Sequence, residues 1–260
     1  MVDGRMNDIT FCIVHHATTP LHSFIFEKSI SSVRKFHPAN RIVVCCSSVT
    51  VVPEHILEYE NTSFVYTPMD GSHVYGAMYV LLQLEGVKEY VLMHDSMILL
   101  KAFPESVLGR KFYTMWHFQS SYHDHTENVI GSICNTKFDY RGKCALLESY
   151  NEKAGVDWIG CFGPSFGGDI GALRELWEMM NVEDNLANFK GRVQLMAAER
   201  FVAVVASFMK LVEPFPGTYS LNDSIEHQPY KFRKSETEED VMQVVESGYN
   251  AYMCKIWQGR

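Results

Sequence analysis

Glu89-Tyr90-Val91-Leu92-Met93-His94-Asp95-Ser96-Met97-Ile98-Leu99-Leu100 is the stretch that decides how this chain folds. An apolar run stops at one acidic turn and then resumes. A run of this length with no charge inside it reads as a strand buried on both faces. Open α/β sheets hold their ligands at the carboxyl ends of such strands, so Asp95 is the first candidate for chemistry.

Upstream the same pattern repeats. Thr10-Phe11-Cys12-Ile13-Val14 reads as a buried strand, and Phe26, Ile30 and Val33 follow at helical spacing before Pro38. Arg41-Ile42-Val43-Val44-Cys45-Cys46 is a second strand, a short helical piece is expected at 54–59, and Ser63-Phe64-Val65-Tyr66-Thr67 is a third strand. Ser72 caps a helix that carries Tyr75, Met78, Tyr79 and Leu82 on one face and ends at Gly86. The order β-α-β-α-β-α-β with short connections predicts a parallel sheet with right-handed crossovers. Just past the four strands stand His15-His16, Ser47-Ser48, Asp70-Gly71 and His94-Asp95, which such a sheet lines up along one edge.

The second half is less regular. A strand is expected at 112–118, a polar loop at 119–128, helices at 143–150, 171–180 and 192–209, and a segment dense in glycine and aromatics at 157–170. Ser235 and Glu238 read as a capping box for a helix ending near Gly248. With 260 residues, 47% of them hydrophobic, no repeat and no clear linker, one domain over 1–260 is expected.

A net charge of −8 without a run of Lys or Arg argues against a nucleic-acid binder. The seven cysteines form no CxxC pair, so neither a disulfide framework nor a zinc knuckle is suggested, and a reducing compartment is the simplest reading. No stretch of about 18 apolar residues predicts a membrane span, and the first residues lack a signal-peptide apolar core. These features together predict a cytoplasmic protein.

Several constellations bear on chemistry. Two carboxylates at i and i+2 in extended chain point the same way and clamp a divalent ion on a diphosphate. Here the second place is Met97, whose thioether suits soft metals, so any metal site rests on Asp95 alone. The alternative is that Asp95 caps the next turn. His123-Asp124-His125 puts two imidazoles at i and i+2, but no further ligand follows at a readable spacing. Trp116, Trp158 and Tyr122 are either sugar-stacking faces or pocket walls.

The chain resembles small glycosyltransferases of the GT-A fold. The resemblance rests on the opening strand followed by His15-His16-Ala17-Thr18-Thr19-Pro20, and on Asp95-Ser96-Met97 at the place of the family's DxD motif. It rests also on the glycine-rich Gly160-Cys161-Phe162-Gly163-Pro164-Ser165-Phe166-Gly167-Gly168-Asp169, similar to an acceptor segment, and on Ala198-Glu199-Arg200-Phe201, similar to the acidic helix that carries the base of inverting members. It covers roughly residues 8–213. Two departures stand out: Cys46-Ser47-Ser48 lacks the acidic residue many members use for the nucleobase, and Met97 replaces the second DxD carboxylate.

The resemblance implies a GT-A-like, Rossmann-type α/β fold with a small antiparallel addition. Residues 8–110 would form the nucleotide-sugar half, and 111–260 the acceptor half with a C-terminal extension. It implies transfer of a hexose or pentose from a nucleotide-diphosphate sugar to a hydroxyl of a glycan or small acceptor, with inversion. A divalent metal, Mn²⁺ or Mg²⁺, would sit on Asp95.

Glu199 lies on a helix apolar all round, where burial raises a carboxyl toward the range of a general base; an ion pair with a nearby Arg is the other reading. Asp169 is the rival base, or an N-cap for the helix after it. His15, His16, Thr18, Asp70, Asp95 and Ser96 would line the donor pocket. Lys255 and Arg260, in the unusual end Lys255-Ile256-Trp257-Gln258-Gly259-Arg260, would neutralise the leaving diphosphate, or lie solvated on an edge strand. Three other readings remain: a silent binder of nucleotide or glycan, a retaining transferase, and a Rossmann-like nucleotide enzyme. The last lacks its GxGxxG turn after the first strand.

Overall fold

A computed structural model describes residues 4–46, 59–67, 73–115, 117–119, 126–151, 159–161, 165–186, 192–213, 215, 230–246 and 251–257. Its centre is a seven-stranded sheet. Four strands are parallel and come from the first half: β1 (Ile9–His15), β2 (Arg41–Cys46), β3 (Thr62–Tyr66) and β4 (Glu89–His94). Helix α1 (Pro20–Phe36) joins β1 to β2, and α2 (His73–Gln83) joins β3 to β4. Gly86, at φ 76°, turns the chain after α2 as only a residue without a Cβ does freely.

The chain of the first half ends in a sharp turn at Asp95 and Ser96, and β5 (Met97–Leu99) leaves the main sheet. The opening apolar run is therefore two strands in two different sheets. Beyond β4 the main sheet is completed by β6 (Phe112–Thr114). After β7 (His117–Gln119) and β8 (Ile159–Cys161), which form their own antiparallel pair, it takes in β9 (Phe166–Asp169) and finally β10 (Val212–Glu213). The order across the sheet is β10-β6-β9-β4-β1-β2-β3, with β9 antiparallel to both neighbours. This is the mixed α/β architecture, a mostly parallel central sheet flanked by helices, that the sequence predicts.

Period-two alternation builds the two cores. Cys12, Val14, Val43, Cys45, Tyr90 and Leu92 face one side, while Phe11, Ile13, Ile42, Val44, Val91 and Met93 face the other. The first side is covered by α2, α3 (Thr126–Cys134), α4 (Tyr140–Tyr150), α5 (Ile170–Met180) and α7 (Arg192–Phe208), with the short α6 (Val182–Asn185) between them. The second is covered by Phe26, Ile30 and Val33 of α1.

A further three-stranded sheet lies over α1, in the order β11 (Tyr230–Lys234), β12 (Met253–Trp257), β5. Ile98, Cys254 and Ile256 pack there with Ile25 of α1 and with Val241 and Val244 of α8 (Glu238–Glu246). The small antiparallel addition expected in the second half is present twice, as the β7–β8 pair and as the β5–β12 pair.

The strand expected at 112–118 is two strands, β6 and β7, and the helix expected at 143–150 begins earlier, at Tyr140, because Asp139 caps it through Gly142 N–H. The capping box of α8 lies two residues later than the sequence suggests. Thr237 Oγ1 accepts from Asp240 N–H at 3.1 Å, and Asp240 Oδ2 accepts from Thr237 N–H at 3.0 Å. Ser235 is buried instead. The expected helical piece at 54–58 and the cap at Ser72 lie outside the described residues.

Candidate functional site

The strand order itself selects the site. The chain runs outward from β1 to β2 and β3, then returns to lay β4 on the other side of β1. The carboxyl ends of β1 and β4 therefore splay their connections in opposite directions and leave a crevice between them, where ligands of open α/β sheets bind. His15, His16, His94 and Asp95 occupy those two ends.

They are bonded together across the crevice. Asp95 N–H donates to Val14 carbonyl at 2.9 Å, which extends the β1–β4 ladder into the turn. Asp95 Oδ2 then accepts from His15 Nδ1 at 3.0 Å and from His16 N–H at 2.8 Å. Oδ1 has no hydrogen-bond partner among the described residues, and the side chain is 16% exposed. One oxygen is fixed and the other is open.

His15 is itself fully buried, stacked on Phe26 with ring centroids 3.7 Å apart. It cannot line a pocket, contrary to the expectation from sequence. It positions Asp95. Burial alone would raise the pKa of Asp95. The His15 hydrogen bond and charge and the His16 N–H outweigh that and hold the carboxyl well below its usual range. Asp95 is a carboxylate at any physiological pH. Cys46, beside His15 on β2, is pushed the other way, up to about 12, chiefly by burial, and stays a thiol.

His16 is half-buried and Thr18 exposed in the β1–α1 connection, above the same crevice. Thr19 caps α1 through His22 N–H at 3.2 Å, with Pro20 at the first helical position. The polar loop and the start of α1 are thus fixed relative to Asp95.

The other wall comes from the far end of the chain. Ser96 carbonyl accepts from Ile256 N–H at 2.8 Å, and Ser96 Oγ accepts from Lys255 Nζ. Along β12 the side chains alternate. Cys254 and Ile256 turn toward α1, while Met253 and Lys255 turn the opposite way, Met253 into the core beneath the sheet. That alternation brings the Lys255 ammonium to the turn that carries Asp95. Lys255 is therefore held on the middle strand of a sheet, and the edge-strand reading of this segment is set aside.

A divalent ion on Asp95, implied by the resemblance, meets residues that do not suit it. Met97 is 1% exposed, packed in the core, and its sulfur accepts the His94 N–H at 3.3 Å. It offers nothing to the crevice. Asp95 Oδ2 is already spent, and a fixed ammonium stands on the adjacent residue, where a second cation is repelled. Among the described residues no three His, Cys, Asp or Glu side chains gather in one place. Asp95 therefore offers one open oxygen, Oδ1, beside the Ser96–Lys255 contact.

Asp169 is not brought to the site. It pairs with Glu89, at the amino end of β4, and Asp95 follows the carboxyl end. Six residues of strand separate the two levels, about 20 Å. Asp169 Oδ1 accepts from Ala172 N–H at 3.0 Å and caps α5, the alternative considered from sequence. The glycines before it serve packing as well. A Cβ on Gly167 would lie 2.5 Å from the Tyr113 hydroxyl, and one on Gly168 2.2 Å from the Lys111 carbonyl. They let β9 press between β4 and β6, rather than admit a substrate.

Glu199 is carried by α7. The β7–β8 pair continues β6 and β9 beyond the carboxyl edge of the sheet, and α7 packs against β8. From Ala197 to Ala206 the helix is buried apart from Glu199, which is half-buried. Met196, expected on the buried stripe, is 38% exposed. Arg200 Nη1 bonds back to the Met196 carbonyl at 2.8 Å. Asp70, Arg260, Trp116, Tyr122, Trp158, His123 and His125 lie outside the described residues.

No protein-family model matches this chain, and no curated protein sequence does. Solved structures resemble it distantly. A structure of an active-site mutant of LgtC is matched over 97% of this chain and 87% of its own, at 8% identity and a TM-score of 0.48. A structure of the galactosyltransferase LgtC in complex with donor and acceptor sugar analogues is matched over 96% and 87%, at 8% identity and a TM-score of 0.44. At that distance the likenesses carry no weight for the site.

Among the described residues no helix is long and apolar enough to cross a membrane. Cys12, Cys45, Cys46, Cys134, Cys144 and Cys254 are free thiols.

Proposed function

We propose that this chain is a glycosyltransferase that moves a hexosyl or pentosyl group from a nucleotide-diphosphate sugar to a hydroxyl of a glycan or small acceptor. One observation carries the reading: a fixed carboxylate and a fixed ammonium share the two-residue turn at the switch point of the sheet. That pair is suited to a ligand with hydroxyls and a diphosphate. Asp95 Oδ1 accepts a hydroxyl of the nucleoside or sugar, and Lys255 takes phosphate charge. His16 and Thr18 complete the donor side, with Asp70 and Arg260 assigned there from sequence alone.

In the step itself the acceptor oxygen forms a bond to the anomeric carbon as the bond from that carbon to the diphosphate oxygen breaks. The electron pair leaves with the diphosphate, and the acceptor proton passes to Glu199. Attack from the opposite face inverts the anomeric centre. The rate gain comes from holding the two reactants in line and from neutralising the leaving group.

The test is incubation with a panel of nucleotide-diphosphate sugars and simple glycoside acceptors. Release of nucleoside diphosphate and the anomeric configuration of the product are read by NMR. Turnover with an inverted product is expected. A retained configuration removes Glu199 as base, and a chain that binds a donor but never cleaves it supports the silent-binder reading instead.

A further inference from the structure

We infer that the nucleobase of the donor stacks on Tyr66, at the carboxyl end of β3, and is held by that stacking rather than read at its hydrogen-bonding edge. The inference rests on the donor reading above and deepens it.

The register of the sheet sets where Tyr66 stands. Asp95 N–H bonds to the Val14 carbonyl, one step past the His94–Val14 pair, so Asp95 is level with His15. His15 is partner to Cys46, and Cys46 to Tyr66. One row thus crosses four strand ends, from Asp95 to Tyr66, about 14 Å over three strand spacings. Both ends of the row take the same face. Val65 packs toward α2, and Thr67 fills a gap that a Cβ on Gly76 of α2 would close. Tyr66, between them, turns to the other face with Phe64. On that face His15 bonds Asp95 and stacks on Phe26.

Only the ends of the row reach solvent. Asp95 is 16% exposed at its side chain and Tyr66 is 67% exposed. His15 and Cys46, between them, are 0% and 1% exposed and offer a base edge no side chain. The chain leaving β2, Cys46-Ser47-Ser48, carries no carboxylate to read one. What this edge of the sheet does present is an aromatic ring on a fixed backbone. Thr67 N–H bonds to the Cys46 carbonyl at 3.2 Å, just past Tyr66, so the ring is positioned before the ligand arrives and little ordering cost falls on binding. Every nucleobase has a flat π-face, so a stacking platform takes purines and pyrimidines alike. The donor class widens accordingly: with Asp95 on a hydroxyl and Tyr66 on the ring face, the edge of the base goes unread.

The experiment is calorimetric titration of the full chain with UDP, GDP and ADP, each in Mn²⁺ and again in EDTA. Tyr66→Ala, Tyr66→Leu and Tyr66→Trp follow, each checked for an unchanged melting temperature without nucleotide. The three nucleotides should bind the wild type within about tenfold of one another. Tyr66→Ala and Tyr66→Leu should each lose about tenfold or more for all three, and Tyr66→Trp should keep the affinity or raise it. Leucine keeps apolar area without a π-face, so Tyr66→Leu binding as the wild type does overturns the inference. Unchanged binding by Tyr66→Ala overturns it too, and so does a preference of about a hundredfold for one base, the mark of a read edge. In each of these cases the donor reading stands. If no nucleotide and no nucleotide sugar binds the wild type, the donor reading falls and takes the inference with it. Should the variants fail to fold, the comparison of the three bases on the wild type still decides the matter.

Discussion

His15 Nδ1 donates to Asp95 Oδ2 across 3.0 Å, although eighty positions separate the two residues in the chain. The imidazole is wholly buried against Phe26, where it bonds the carboxylate from behind. It favours the charged form of Asp95 against burial, which acts to raise its pKa.

His15→Phe keeps the ring on Phe26 and deletes the donor, so the pKa of Asp95 rises. His15→Asn keeps a donor near the same place. Nucleotide binding by His15→Phe is expected to be about tenfold weaker than wild type at pH 5 and to recover at pH 8. His15→Asn should stay close to wild type at both. A pH series of calorimetric titrations separates this from general damage, which would not depend on pH.

His37 gives a prediction about stability. It is 4% exposed, accepts the Phe103 N–H at Nε2, and burial lowers its pKa to about 4. A depressed histidine favours the neutral form in the folded state. Its contribution is complete above the unfolded value of 6.5 and is lost as pH falls from there toward 4. The loss over that window amounts to as much as about 3 kcal/mol. His37→Gln, whose amide oxygen still accepts the Phe103 N–H, should flatten this slope. Urea midpoints from pH 7 to pH 4 measure it.

Gly168 tests the packing role of the glycine pair. Gly168→Ala drives a Cβ to 2.2 Å from the Lys111 carbonyl, a backbone atom that cannot rotate away. A loss of about 3 kcal/mol is expected from overpacking. The surviving folded fraction should bind nucleotide as wild type does. A stable variant with impaired acceptor use would return the segment to the acceptor site.

Glu199→Gln removes the base and keeps the shape. Turnover should fall a hundredfold or more while donor affinity changes less than threefold. Steady-state kinetics beside calorimetry read both numbers. An equal loss in donor affinity would make Glu199 a binding residue.

Much of the fold was legible because it depends on short-range patterning. The apolar runs at β1, β2 and β4 were legible because a doubly covered parallel strand must be apolar throughout, while β3, at the sheet edge, is partly exposed along its length. The edge where Asp95 stands followed from their order. Less legible were the pieces whose identity depends on a partner. β12 pairs with β5 across more than a hundred residues, and nothing local marks Lys255 as the neighbour of Ser96. Asp169 followed two glycines and suggested an active carboxylate, yet antiparallel pairing with β4 carries it to the far edge.

The sequence by itself determined the α/β class, the parallel half-sheet and the carboxyl end that Asp95 occupies, because hydrophobic periodicity and turn residues act between near neighbours. Only the tertiary structure decided which groups share that edge. It buried His15 behind Asp95, turned Met97 into the core and brought Lys255 over the turn. Those outcomes depend on strand register and on which face a side chain takes, and both are fixed by pairing between segments far apart in the chain.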